Sequence, residues 1–209
     1  MSKSVSYSTE GEGQNTAPHA ILKHATARAH TELEARADWD MVLSSKEAYA
    51  NLLQRLLFLN EAADQSLDRW LGGSVAWLHE RRNAAWIRED LRHFNSGPAS
   101  HDSCFSTTGA TLEHVNSRAA AVGVLYVMEG SSLGAMVIAQ RLNVDLELTA
   151  TSGAKYFCGY GHNTRKIWKR TVSTIDAVLS QEQLIDEAIT SANETFDLHR
   201  ELLEDCAHA

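Results

Sequence analysis

The sequence is short of proline. Only Pro18 and Pro98 occur in 209 residues, so long stretches carry no helix breaker, which favours an all-α chain. Cysteine is sparse as well. Cys104, Cys158 and Cys206 are far apart and form neither a CxxC motif nor a disulfide framework, which fits a reducing compartment. Basic charge is in deficit, with 19 Lys and Arg against 27 Asp and Glu and a net charge of −8. Nucleic acid is therefore not expected as a partner, since phosphate neutralisation needs a basic face. No run of about 18 apolar residues is present, so no membrane span is expected. The first residues are polar and lack the apolar segment of a signal peptide. A cytoplasmic protein is the expectation.

What is present is ordinary for a globular protein: 44% hydrophobic and 22% charged residues. One domain is the default at this length. Residues 1–17 are rich in Ser, Thr, Gly, Glu and Asn and read as a disordered tail. Residues 18–209 read as one helical domain. Apolar residues at helical spacing predict a first helix over 20–37, with Pro18 at its start. Ser44 or Ser45 caps a second, Ser44-x-x-Glu47 reading as a capping box, and Gly72-Gly73 ends it. A shorter helix is expected near 77–95, a loop over 96–110, and a helix from about 112 to 125. Residues 143–162, with Asn143, Gly153, Gly159 and Gly161, read as largely irregular. A helix over 165–179 and a last one opened by Ser180-x-x-Gln183 complete the chain.

The stretch Leu125–Ile138 stands apart. It reads as a buried apolar helix with Gly130 and Gly134 inside it. Each interior glycine costs roughly 1 kcal/mol against alanine. Four residues apart, the two share one face and leave a flat notch. Either a neighbouring helix packs there or a flat ligand lies across it. The sequence leaves open whether the preceding helix runs into this one or meets it at a kink.

Among ten histidines, two have suggestive neighbours. Asp90 and His93 share a helix face, as metal ligands do. Di-iron bundles, however, use repeated Glu-x-x-His pairs, and none occurs here. His30 has Lys23 two turns before it, roughly 10 Å along the axis. Glu34 lies one turn after it and is placed to hold the imidazole N–H, as the outer partner of a metal-ligating histidine does. The plain alternative is a surface histidine with a routine neighbour. His24 lies about 120° round the helix and faces elsewhere.

Taken together, two segments carry a resemblance. Leu22-Lys23-His24-Ala25-Thr26-Ala27-Arg28-Ala29-His30-Thr31-Glu32-Leu33-Glu34 resembles the first helix of haem oxygenases, which reads Leu-Lys/Arg, Ala-Thr, His-Thr and Glu at the same spacing. Glu129-Gly130-Ser131-Ser132-Leu133-Gly134-Ala135 resembles the glycine-bearing distal helix of that family, its bacterial branch above all. Weaker similarity runs through Tyr156-Phe157 and Gly159-Tyr160-Gly161 to 165–170, so that it spans roughly 20–205.

The resemblance implies an all-α bundle with haem b between a proximal helix and a kinked distal helix. His30 would be the axial ligand, and Gly130 and Gly134 would bring backbone close to bound O2. Haem would be both cofactor and substrate, cleaved to biliverdin, CO and iron. A neutral imidazole does not push O–O cleavage as a thiolate does. Lys23, Arg165 and Lys169 are the implied propionate anchors, with Arg141 as a further candidate. Many animal-type members carry an Asp after the first distal glycine. Here it is Ser131, which holds a water but supplies no charge. No flavin or nicotinamide motif is visible, so electrons are expected from an external ferredoxin or reductase. A bilin-accepting phytochrome is a conceivable recipient of the product. Two other readings are a haem-binding or sensing protein without turnover, and a helical domain for a thiamin-type pyrimidine. The latter has no use for His30 or the glycine pair.

Overall fold

Pro18 sits in the first turn of α1 (Pro18–Ala25), where its missing N–H costs nothing. In the computed structural model, which describes residues 17–94, 112–180 and 184–206, α2 (Ala27–Arg36) continues in the same direction. The expected single helix is thus interrupted at Thr26. Its hydroxyl donates to the Leu22 carbonyl at 2.9 Å, a back-bond that loosens a helix. The His30 N–H still reaches the Thr26 carbonyl at 3.0 Å.

A short helix absent from the sequence reading, α3 (Trp39–Val42), is capped by Asp38. Helix α4 (Lys46–Leu71) is capped by Ser45, whose hydroxyl accepts the Ala48 N–H at 3.1 Å. The Ser44-x-x-Glu47 box therefore does not form. With Ser45 as cap, Glu47 is the second helical residue and not the third that the box requires. The helix expected over 77–95 is two pieces, a 3₁₀ turn (Ala76–Glu80) and α5 (Asn83–His93). The backbone is extended at Arg81 between them, where its side chain turns inward. The 96–110 loop, the N-terminal tail to residue 16 and the Ser180-x-x-Gln183 box lie outside the described residues.

Helix α6 (Arg118–Leu146) is unbroken and begins at Ser117, not near 112. Ser117 accepts the Ala120 N–H at 3.1 Å, and Glu147 in the left-handed region (φ 58°) ends the helix. Asn143 is therefore helical. The rest of the expected irregular stretch holds α7 (Lys155–Cys158) and a 3₁₀ turn (Gly161–Asn163). Helices α8 (Thr164–Val178) and α9 (Ile185–Cys206) follow. No strand occurs among the described residues.

Helix α6 is the axis of the fold, with α9, α8 and α4 packed along it. It is the one described helix long and apolar enough to cross a membrane, and the bundle encloses its first half. Ala119 to Leu125 are all buried. Here α9 comes close because of Gly123. A methyl group at that position would lie 2.3 Å from the Ala188 carbonyl oxygen and 2.9 Å from the Ala192 nitrogen. Ser191 locks the contact by donating to the Ala120 carbonyl at 2.8 Å.

Asp90, on α5, is buried and accepts the N–H groups of Lys155 and Tyr156, both at 2.8 Å. It caps α7 instead of joining His93 in a metal site. No cluster of three or more metal-ligating side chains occurs among the described residues.

Candidate functional site

Beyond Glu129 the environment of α6 changes. Helical periodicity puts Gly130, Leu133, Gly134 and Val137 on the same side as Tyr126. Leu133 is 46% and Val137 65% exposed. The expectation that the whole glycine segment is buried is thus corrected: Gly130 is half-buried and Gly134 exposed. A methyl group at Gly134 would meet nothing within 4 Å, and one at Gly130 would make only ordinary contact with the Trp168 ring, 3.7–3.8 Å away. Tight helix packing is the business of Gly123. The pair at 130 and 134 opens a flat apolar face.

The first helices meet α6 just before this face. The Thr26 hydroxyl reaches the Tyr126 hydroxyl at 3.4 Å. The Tyr126 ring lies 5.9 Å from that of Trp168 on α8. Thr26 is one turn before His30, as Tyr126 is one turn before Gly130. The contact is therefore the junction from which the histidine-bearing and glycine-bearing segments both continue. His30 itself is exposed. Its Nδ1 lies 3.5 Å from Glu34 Oε2, the expected pairing, and its ring meets Phe196 of α9 edge-on at 5.7 Å. An imidazole held at Nδ1 has Nε2 left for a ligand.

Helix α1 packs against α8. His19 Nδ1 pairs with Asp176 Oδ2 at 2.9 Å, while Thr26 reaches Trp168 through Tyr126. The two helices are therefore antiparallel. Lys23, Arg165 and Lys169 are exposed and have no ion-pair partner among the described residues. Arg141 differs. Asp40 Oδ1 accepts from its Nη2 at 2.7 Å, and Asp145 Oδ2 lies 3.4 Å from its Nε. It ties α6 to α3. The Ser131 hydroxyl donates to the Met128 carbonyl at 2.8 Å and that of Ser132 to the Glu129 carbonyl at 2.6 Å.

One cluster escaped the sequence reading. Arg81, with its side chain 3% exposed, donates from Nε to Glu129 Oε1 at 2.6 Å and from Nη1 to Asp64 Oδ1. Glu129 is fully buried. Burial opposes the Arg81 charge, but the two carboxylates outweigh it and raise the pKa. Burial also raises Asp64, against the pull of Arg81, and raises the Tyr160 phenol well above its ordinary value. The signal available in the sequence was Glu129 itself, the single charge between Arg118 and Arg141 of an apolar helix.

Among the described residues the chain is an all-helical bundle that carries an exposed histidine and an open glycine-bearing face. The family model for haem oxygenase matches residues 18–205, and the chain belongs to the haem oxygenase family, a family of oxidoreductases. A haem oxygenase of Xanthomonas campestris pv. campestris (strain 8004) is 28% identical over 152 residues, 72% of this chain and 85% of that one. Among solved structures, the NO- and CO-bound haem oxygenase of Neisseria meningitidis superposes with a TM-score of 0.76 at 22% identity, covering 92% of this chain and 93% of the other. The Leptospira interrogans haem oxygenase gives 0.75 at 14% identity, covering 91% and 100%. At these identities the superpositions establish the fold.

Proposed function

We propose that the chain binds haem b between α2 and the open face of α6 and cleaves it, with O2 and supplied electrons, to biliverdin, CO and iron. His30 holds the iron through Nε2, its other nitrogen oriented by Glu34. Gly130 and Gly134 let the α6 backbone approach the distal face of the macrocycle, and Leu133 and Val137 cover its apolar edge. Lys23, Lys169 and Arg165 hold the propionates. Ser131 holds a distal water. Arg141 is left out, because Asp40 and Asp145 already occupy it. Electrons come from an external ferredoxin or reductase, and a phytochrome is a fitting acceptor for the bilin. The protein works in the cytoplasm.

The observation that carries this reading is the contrast between glycines. Gly123 is filled by a neighbouring helix, whereas Gly134 faces open space beside exposed apolar residues. A helix that gives up roughly 1 kcal/mol at a position touching nothing keeps the backbone bare for something that arrives later. The test is haem titration followed by single turnover under ascorbate and O2, with chromatography of the products. A Soret complex that yields bilin is the expected result. A Soret complex without bilin leaves a haem-binding protein without turnover, and no haem uptake overturns the reading.

A further inference from the structure

A groove of about 810 Å³ lies away from the glycine face, on the other flank of α8. Its volume is that of a small-ligand site. Lys169 and Asp176, the partner of His19 on α1, share one side of α8. Arg170, Thr174 and Ala177 share another and line the groove. The 3₁₀ turn (Ala76–Glu80) and Arg118, the first residue of α6, line it too. Val75, Val178 and Leu184 make much of the lining apolar. Trp77 is half-buried, and its Nε1 donates to Thr174 Oγ1 at 3.1 Å. The Arg170 guanidinium lies over the indole, 4.7 Å from the ring centre, and donates from Nη2 to Glu80 Oε2 at 2.7 Å. Its Nε is buried without a hydrogen-bond partner, an unmet donor on a groove-lining side chain. Arg118 is exposed, donates from Nη2 to Ser74 Oγ at 3.0 Å, and has no carboxylate partner among the described residues. Two arginines thus line the groove against one carboxylate, Glu80. The Arg170 hydrogen bond already holds that carboxyl below its ordinary pKa, with His79 and Lys166 acting in the same direction. In a chain of net charge −8, this spot favours anions.

We propose that this groove binds a flat aromatic carboxylate, and that its occupant acts on the glycine face from a distance. The carboxylate takes the fork of Arg118, which has a single hydroxyl bond to compete with. The ring lies along Trp77 and the Arg170 guanidinium, a planar cation that stacks on aromatic faces. Both walls lead to the glycine face. The 3₁₀ turn runs directly into Arg81, which holds Glu129, the residue before Gly130. Trp168, two residues before Arg170, lies beside Gly130 and Tyr126. An occupant that shifts either wall therefore shifts a neighbour of Gly130. Binding stands on the groove alone; the effect on haem rests on the proposed function.

A plain structural latch would use Arg170, Trp77 and Glu80 to fasten the turn to α8 and would have no use for Arg118. The experiment therefore turns on Arg118→Ala. The nitrogen-15-labelled full chain, free of haem, is titrated with naphthoate and with its neutral amide, and the indole N–H signals are followed by NMR. Loss of one signal in Trp77→Phe identifies that of Trp77. Naphthoate should shift the Trp77 signal saturably in the wild type. Its affinity should fall by roughly tenfold in Arg118→Ala, the loss of a charge-assisted hydrogen bond, while melting stays that of the wild type. The amide should bind as weakly. Gly134→Leu, altered on the other face, should bind naphthoate as the wild type does. Saturating naphthoate should change the haem dissociation constant by about fivefold, at the low end of coupling between sites, in the wild type and not in Arg118→Ala. An unmoved Trp77 signal, equal binding of the amide, or undiminished binding by Arg118→Ala overturns the site. Binding lost in Gly134→Leu puts naphthoate on the haem face and overturns it as well. An unchanged haem constant overturns the action at a distance. Failure of the wild type to take up haem overturns the proposed function instead, and the naphthoate titration still decides the groove.

Discussion

Replacing Gly134 by alanine is expected to stabilise the ligand-free protein. Alanine exceeds glycine by about 1 kcal/mol in a helix interior, and the added methyl meets nothing within 4 Å. For a chain of this size, 1 kcal/mol moves the melting temperature by about 2–4 °C. Gly130→Ala has the same sign, since Trp168 at 3.7–3.8 Å is an ordinary contact. Gly123→Ala has the opposite sign. Its methyl falls 2.3 Å from a carbonyl oxygen of α9, backbone that cannot step aside. Overpacking of about 1–3 kcal/mol then outweighs the gain in propensity. Function reverses the ranking for bulky side chains: Gly134→Leu should fold at least as well as the wild type without ligand, yet make no biliverdin. The assay is thermal melting of the three apo-proteins by circular dichroism, beside haem titration and bilin chromatography of Gly134→Leu. A Gly134→Ala protein melting several degrees below the wild type means that something packs on that face. A Gly134→Leu protein that makes bilin at the normal rate removes the glycine from the mechanism.

His30→Ala should still take up haem through the apolar face but lose the histidine-ligated optical spectrum and turnover; an unaltered spectrum refutes the ligand assignment. The triple variant Lys23→Ala/Arg165→Ala/Lys169→Ala should change the ratio of biliverdin isomers more than haem affinity, because apolar burial of the macrocycle supplies most of the binding. An unchanged ratio on product chromatography counts against propionate anchoring. Burial pushes the Asp90 carboxyl from its ordinary 3.8 up to about 6. The folded chain thus retains a proton that the unfolded chain releases, and the stability this proton confers falls as pH rises from about 4 to about 6. Asp90→Asn removes that dependence, so its melting temperature should gain on the wild type through this window and run parallel above it. A difference that is constant with pH refutes the assignment.

The helices were legible where apolar residues recur at helical spacing without interruption, as in α4, α8 and α9. The breaks were not. Thr26 interrupts the first helix through a bond to its own backbone, and the chain turns at Arg81 because a distant carboxylate draws the side chain inward. Such choices depend on partners that only the folded chain assembles. His30 with Glu34, and the glycine pair, were readable because their spacing is local. The buried Arg81 pairing was not, since Asp64, Arg81 and Glu129 come from three separate stretches of chain. Arg141 shows the reverse: a suitable cation in sequence, but one that Asp40, from a short helix unseen in the sequence, has already claimed.

Beyond Glu129, helix α6 is packed on one face only. Around Glu129 it passes from enclosed core to a bare face with Leu133, Met136 and Val137 uncovered. On the proposed function, a ligand seated there would complete the interior, and the substrate would serve as a late-arriving piece of core. Ligand at a hundred times its dissociation constant adds about 2.7 kcal/mol to folding. The reaction would then destroy the piece that supplied it. Each turnover returns the chain to its incomplete state, with apolar surface open to proteases and to other copies. The abundance of this protein in a cell should therefore follow the supply of its substrate, even when its synthesis is constant.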